Sequence, residues 1–145
     1  MGVVGVEAGI VGRDEAMLVG FYSEGLGFEV VGRFEFPVGV VCRLRRGAAR
    51  LKIFVPTAPV DDVADRAAPW FQLGGWRYCA LLLDALEDVD ALAAAMVAAG
   101  GHEILAPSNH RPGARMAMIA DPEGNAWELL AEPPDGGGGA RSTVA

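Results

Sequence analysis

Apolar and polar positions along this chain recur at two periods, and the switches between them mark the elements. Residues 3–11 alternate, with Val6, Ala8 and Ile10 on one side and Glu7, Gly9 and Val11 on the other, the period of a strand. Asp14 is a residue type that caps helix N-termini, and after it Met17, Leu18, Phe21 and Tyr22 fall on one helical stripe that Gly25 and Gly27 end. Three strands are predicted next: 28–36, 38–47 with a turn at Arg46-Gly47, and 49–56, stopped by Pro56. In the last of these Leu51, Ile53 and Val55 face one way, and Arg50, Lys52 and Phe54 the other.

The second half repeats the first. A strand at 76–83 precedes a helix at 88–101, with Asp88 as its N-cap and Val89, Leu92 and Met96 as its buried stripe. A strand at 102–107 follows, then two more within 113–133, joined by the turn formers Asp121, Pro122, Gly124 and Asn125. GFEVV at 27–31 matches GHEIL at 101–105, and LKIFVP at 51–56 matches WELLAEP at 127–133. Two copies of one βαβββ unit are implied, each needing the other to cover its sheet. The predicted organisation is a first module at 1–56, a linker at 57–75, a second module at 76–134 and a glycine-rich tail at 135–145. The linker holds Trp70 and Phe71, which are expected to pack down. The tail has nothing to bury and is expected to be disordered.

Composition narrows the function. Apolar residues make up 52% of the 145-residue chain, enough for one real core, so the chain is globular. A net charge of −7 leaves no basic stripe for phosphates, which argues against nucleic acid as a partner. No uncharged stretch reaches membrane-spanning length, and the apolar start lacks the basic region of a signal peptide, so a cytoplasmic protein is expected. Cys42 and Cys79 both fall in apolar strand patterns and read as reduced, buried thiols.

One residue breaks the apolar pattern of the last strand. Glu128 alternates with Trp127 and Leu129, so it points to the opposite face from them. A carboxylate on so apolar a strand needs a cation, a metal or water.

The segments 13–34 (RDEAMLVGFYSEGLGFEVVGRF), 88–101 (DVDALAAAMVAAGG) and 118–133 (MIADPEGNAWELLAEP) resemble the vicinal oxygen chelate superfamily, the group of glyoxalases, bleomycin-resistance proteins and extradiol dioxygenases. The resemblance spans residues 3 to 133. It implies an α+β fold in which two tandem βαβββ modules form cupped mixed sheets with helices on their outer faces. It does not imply one activity, because the superfamily hosts isomerases, lyases, dioxygenases and binding proteins. In its metal-dependent members four inward strand positions hold a divalent ion, usually a His or Gln, a Glu, a His and a Glu. Carried over, these positions are Glu7, Lys52, Tyr78 and Glu128, and only the last matches outright. An ammonium has no free lone pair and repels a dication, and neutral tyrosine is a weak ligand. His102 and His110, the two histidines of the chain, fall on none of the four.

The expected function is therefore binding of a small organic molecule in the cavity, without a cofactor or metal, with Lys52 as the ammonium between Glu7 and Glu128. Such a lysine relieves the repulsion of two converging carboxylates. Arg43, His110 (read as part of a loop before the next strand) and Arg115 are candidates for the cavity rim. The alternative is an enzyme of lyase, isomerase or dioxygenase type, using a divalent metal on Glu7 and Glu128 or metal-free acid and base chemistry; no catalytic residue is singled out. The resemblance, together with open sheet edges, also implies a homodimer.

Overall fold

The computed structural model describes residues 2–61 and 74–132. Trp70, Phe71 and most of the predicted linker, and the predicted tail at 135–145, lie outside the described residues.

The hairpin turn at Gly47, where φ is +57°, fixes the register of the first module. It sets β3 (Gly39–Arg46) antiparallel to β4 (Ala49–Pro56), with Cys42 opposite Ile53 and Leu44 opposite Leu51. β2 (Glu29–Phe36) pairs with the far edge of β3, with a bulge between Val30 and Gly32. β1 (Ala8–Val11) lies parallel to β4 on the other side, Ile10 beside Ile53, giving the order β1-β4-β3-β2. Cys42, Leu44, Leu51 and Ile53 are all buried and point to the same face. α1 (Glu15–Gly20), continued by a π-helical turn at Phe21–Gly25, contributes Leu18, Phe21 and Tyr22 to the same core.

The second module has the same order. β5 (Tyr78–Leu83) runs parallel to β8 (Ala126–Ala131), then β7 (Ala114–Ala120) and β6 (His102–Arg111) follow antiparallel, giving β5-β8-β7-β6. α2 (Leu86–Ala98) lays Val89, Ala93 and Met96 on Ala117, Ile119, Trp127, Leu129 and Ala131. It ends where Gly100 takes a φ of +105° and the Gly101 N–H donates to the Met96 carbonyl at 2.9 Å. A Cβ on Gly101 would lie 2.7 Å from the Ala120 carbonyl oxygen, so the chain passes there only without a side chain. The fold is thus the α+β arrangement of two βαβββ modules with cupped mixed sheets and outer helices that the sequence implies.

Four local readings change. The first strand is short: residues 3–7 are not in a strand, and Val3, Val4 and Val6 are exposed, because the β4 ladder supplies partners only from Ala8 to Val11. The fifth strand likewise starts at Tyr78 rather than at residue 76, since Ala126 at the head of β8 is its first partner. α2 begins at Leu86, so Asp88 sits in its first turn rather than at the cap; Ala85 holds the cap position and offers no side-chain hydrogen bond. An acid in the first turn serves the helix dipole there. Finally, His110 is not in a loop: β6 continues to Arg111, with register irregularities after Glu103, Leu105 and Ser108 that let a Ser, Asn and Pro-bearing segment stay paired.

The modules are joined through the turn after β7. Its Asp121 is fully buried and accepts the Glu123 and Asn125 backbone N–H groups at 2.9 Å each. Tyr22 of the first module donates to the other Asp121 oxygen at 2.7 Å and accepts the Trp127 indole N–H at 2.8 Å. Burial and the neighbouring Asp121 carboxylate push the Tyr22 hydroxyl well above its usual range. Glu123 reaches across to the start of α1, where its carboxylate accepts the Arg13 N–H at 2.9 and 3.0 Å and the Asp14 N–H at 3.2 Å. Asp14 in turn caps the same helix by accepting the Met17 N–H at 2.9 Å, as its residue type predicts. Among the described residues no helix is long and apolar enough to cross a membrane, and Cys42 and Cys79 are free.

Candidate functional site

Lys52 and Glu128 each lie on the face of their sheet that points away from the core. On the first sheet the ladder arranges that face in transverse rows. Gly32, Arg43, Lys52 and Gly9 are in register across β2, β3, β4 and β1, and Phe34, Val41, Phe54 and Val11 form the adjoining row. Toward the hairpin turn Arg45 stands opposite Arg50. On the second sheet the corresponding row is Met118, Glu128 and Ala80, with Tyr78 two residues before Ala80 on the same face.

The four family positions are thus equivalent in the repeat. Lys52 is to Gly9 as Glu128 is to Ala80, and Glu7 and Tyr78 each lie two residues earlier. Glu7 precedes β1, yet its carboxylate is fixed on this face by Arg43, whose Nε and Nη2 donate to Oε1 and Oε2 at 2.9 and 3.1 Å. Those hydrogen bonds hold the Glu7 carboxyl below its usual range against the opposing effect of partial burial; the charges of Arg43, Lys52 and Arg50 add to the lowering. The partner of Glu7 is therefore Arg43, not Lys52. Lys52 is exposed and makes no hydrogen bond or ion pair among the described residues, although its charge reaches Glu7. Glu128 is half-buried and likewise has no hydrogen bond or ion pair among the described residues. Tyr78 is exposed at the start of β5.

Of the other two rim candidates, Arg115 is placed elsewhere. It is in register with the buried Ala131, on the helix-covered face, where it donates to Asp90 of α2 at 2.5 and 2.7 Å and to Asn109 at 3.0 Å. The guanidinium holds the Asp90 carboxyl below its usual range. His110 is exposed near the end of β6.

Two hollows bear on binding. The larger, about 1130 Å³, lies between the modules, with Val6, Leu26, Ala49, Leu82, Asp84 and Leu92 in its walls. None of the four family positions lines it. The smaller, about 140 Å³, is lined by Glu7, Val31, Arg43, Leu44, Arg45 and Arg50. The smaller has the volume of a polar head group rather than of a whole ligand, and Glu7 is the one of the four positions that lines it. Sequence reasoning missed Arg45 and Arg50 in this wall. The signal was present in the Arg46-Gly47 turn, since closing a hairpin there sets Arg45 against Arg50 and Arg43 against Lys52.

The Glyoxalase/Bleomycin resistance protein/Dioxygenase superfamily model matches residues 6–129, and the chain belongs to that superfamily. Solved structures share the fold. A glyoxylase/bleomycin resistance protein/dioxygenase domain from Frankia sp. superposes with a TM-score of 0.75 at 16% identity, covering 92% of this chain and 95% of that one. A glyoxalase family protein from Bacillus cereus gives 0.72 at 15% identity, covering 92% and 97%. One from Enterococcus faecalis gives 0.64 at 24% identity, covering 86% and 94%. No curated protein matches the sequence.

The residues present do not fit the divalent ion held by metal-dependent members of such a fold. Among the described residues no three His, Cys, Asp or Glu side chains converge as a metal site. Glu7 has both its oxygens engaged by a guanidinium.

Proposed function

We propose that the protein binds a small organic molecule on the helix-free faces of its cupped sheets, without a divalent metal, as a cytoplasmic homodimer. The observation that carries this reading is the two-point Arg43–Glu7 pair beside Lys52, which puts fixed positive charge where a dication would need carboxylates. Lys52, Tyr78 and Glu128 supply polar contacts, Arg43 and Glu7 a fixed ion pair, and Phe34, Val41 and Phe54 an apolar floor. A binding face of this kind, mostly apolar with a few placed polar groups, is the usual make-up of a small-molecule site.

Metal analysis of protein produced in medium supplemented with manganese, iron, cobalt, nickel and zinc tests the metal-free part. The expected result is far less than one metal per chain. Near-stoichiometric metal that is lost on Glu128→Gln substitution overturns it and favours the enzyme reading with Glu128 as a ligand. Sedimentation equilibrium tests the dimer; a concentration-independent monomer refutes it.

A further inference from the structure

Two cross-strand pairs of like charge stand side by side on the helix-free face of the first sheet: Arg43 opposite Lys52, and Arg45 opposite Arg50. Like charges directly opposed across an antiparallel pair destabilise it. The chain as a whole has a net charge of −7, so a concentration of four cations on one face runs against its composition. Two of the four are matched: Arg43 by Glu7, and Arg45 by Glu29 at 3.4 Å. Arg50 and Lys52 have no hydrogen bond or ion pair among the described residues. The counter-charge that reaches them is Glu7, whose carboxyl the charges of Lys52 and Arg50 help to lower, but Arg43 takes both of its oxygens, so neither cation has a contact partner of its own among the described residues.

The surroundings say what kind of anion would meet these cations. Lys52 is flanked in its row by Gly9, with open space where a side chain would stand, whereas beyond Arg43 the Phe34 ring folds back over Gly32, 2.8 Å from where a Cβ would lie. A recess of about 140 Å³, lined by Arg43, Arg45 and Arg50 together with Glu7 and adjoined by Lys52 only through its register with Arg43, has room for a carboxylate, sulfonate or phosphate group. The adjoining row, two residues further along each strand and so roughly 7 Å away, is Phe34, Val41, Phe54 and Val11. Phe34 and Val11 are 47% and 58% exposed, apolar surface that water covers unless something replaces it. The face is thus polarised along its strands, cationic at one end and aromatic at the other.

We propose that this face selects an organic anion with an aromatic body, its head group held by Arg50 and Lys52 and its ring laid over Phe34, Val41 and Phe54. The proposal rests on the small-molecule reading above and names the ligand class. Two fluorescent probes with one ring system separate the two ideas: 8-anilinonaphthalene-1-sulfonate, an anion, and N-phenyl-1-naphthylamine, its neutral counterpart. With the full chain, the sulfonate is expected to saturate at one per site and to bind about tenfold more tightly than the neutral probe, the scale of one charge-assisted contact. The Arg50→Met/Lys52→Met double variant should bring the sulfonate down to the neutral probe's affinity while leaving the neutral probe within about twofold. Phe34→Ser should weaken both. The variants' melting temperatures, read beside wild type, confirm that each is folded.

Equal affinity for the two probes, or sulfonate binding unchanged in the double variant, overturns the anion proposal. In that case saturable binding of the neutral probe that Phe34→Ser weakens leaves the small-molecule reading standing. If neither probe saturates, both fall. If the double variant instead shifts the monomer–dimer equilibrium and leaves probe binding unchanged, the cations serve a second copy of the chain and the proposal is likewise overturned.

Discussion

Replacing Glu123 by alanine removes the carboxylate through which the second module holds the start of the first helix. Glu123 is 6% exposed and accepts two backbone N–H groups, Arg13 and Asp14, besides a long contact from Arg13 Nε at 3.4 Å. Both backbone donors sit at a helix N-terminus, where no carbonyl of the helix itself can satisfy them. A hydrogen bond to a charged group contributes about 1.5–3 kcal/mol, and water entering the vacated space recovers part of the second, so the expected loss is about 3 kcal/mol. The Arg13 side chain is 43% exposed, so screening leaves its contact a minor addition. For a chain of this length about 3 kcal/mol lowers the melting temperature by roughly 6–12 °C. Glu123→Gln keeps an acceptor oxygen but not the charge and should lose about half as much. Thermal unfolding followed by circular dichroism measures both, with Glu24→Ala, an exposed acid on the π-helical turn, as the reference for a surface change. A Glu123→Ala variant that melts within about 2 °C of wild type refutes the clasp as an energetic link between the modules.

Two further outcomes follow from the same region. Tyr22 has a folded-state pKa raised above its unfolded value, so its protonated form contributes stability that is fully present below about pH 10 and is lost as pH rises toward the folded value. Urea unfolding above pH 10 should therefore show a steeper fall in stability for wild type than for Tyr22→Phe, and parallel curves count against the buried Tyr22–Asp121 bond. Gly101→Ala places a Cβ 2.7 and 2.8 Å from the carbonyl oxygens of Ala120 and Met96, both backbone atoms that cannot swing away. A loss of about 3 kcal/mol is expected in the same assay, whereas Gly20→Ala, with open space around its Cβ, should not destabilise.

The strands and helices were readable because their apolar periods are short-range properties of the chain. Leu51, Ile53 and Val55 against Arg50, Lys52 and Phe54 required nothing but alternation, and β4 has the bounds that the alternation and Pro56 predict. The repeat supplied the topology. What alternation does not carry is the choice of partner among several candidates on one face. Glu7 had Lys52 as a plausible counter-ion from the family pattern, but Arg43 has the planar fork that grips both carboxylate oxygens, and it sits directly across from Lys52 in the ladder. Arg115 shows the same limit. Placing it depends on which face of β7 meets α2, and Asp90, the residue that holds it, is 25 positions away. Glu123 was hidden for another reason: within its own turn it looks like an ordinary exposed acid, and only the packing of two modules brings it to Arg13 and Asp14. The strand ends were misread where propensity outlasted the partner strand, as at residues 3–7.

The two helices differ at their starts, and the difference has a kinetic consequence. α1 is held by Asp14 and, across the module boundary, by Glu123. α2 starts at Ala85 with no side-chain hydrogen bond. The hairpin turn of the first module, Gly47-Ala48, carries no carboxylate that could return the favour. The first-turn amides of α2 should therefore exchange with solvent deuterium faster than those of α1, although α2 is the longer helix. Among the described residues the second repeat anchors the helix start of the first, through Glu123, without being anchored in turn.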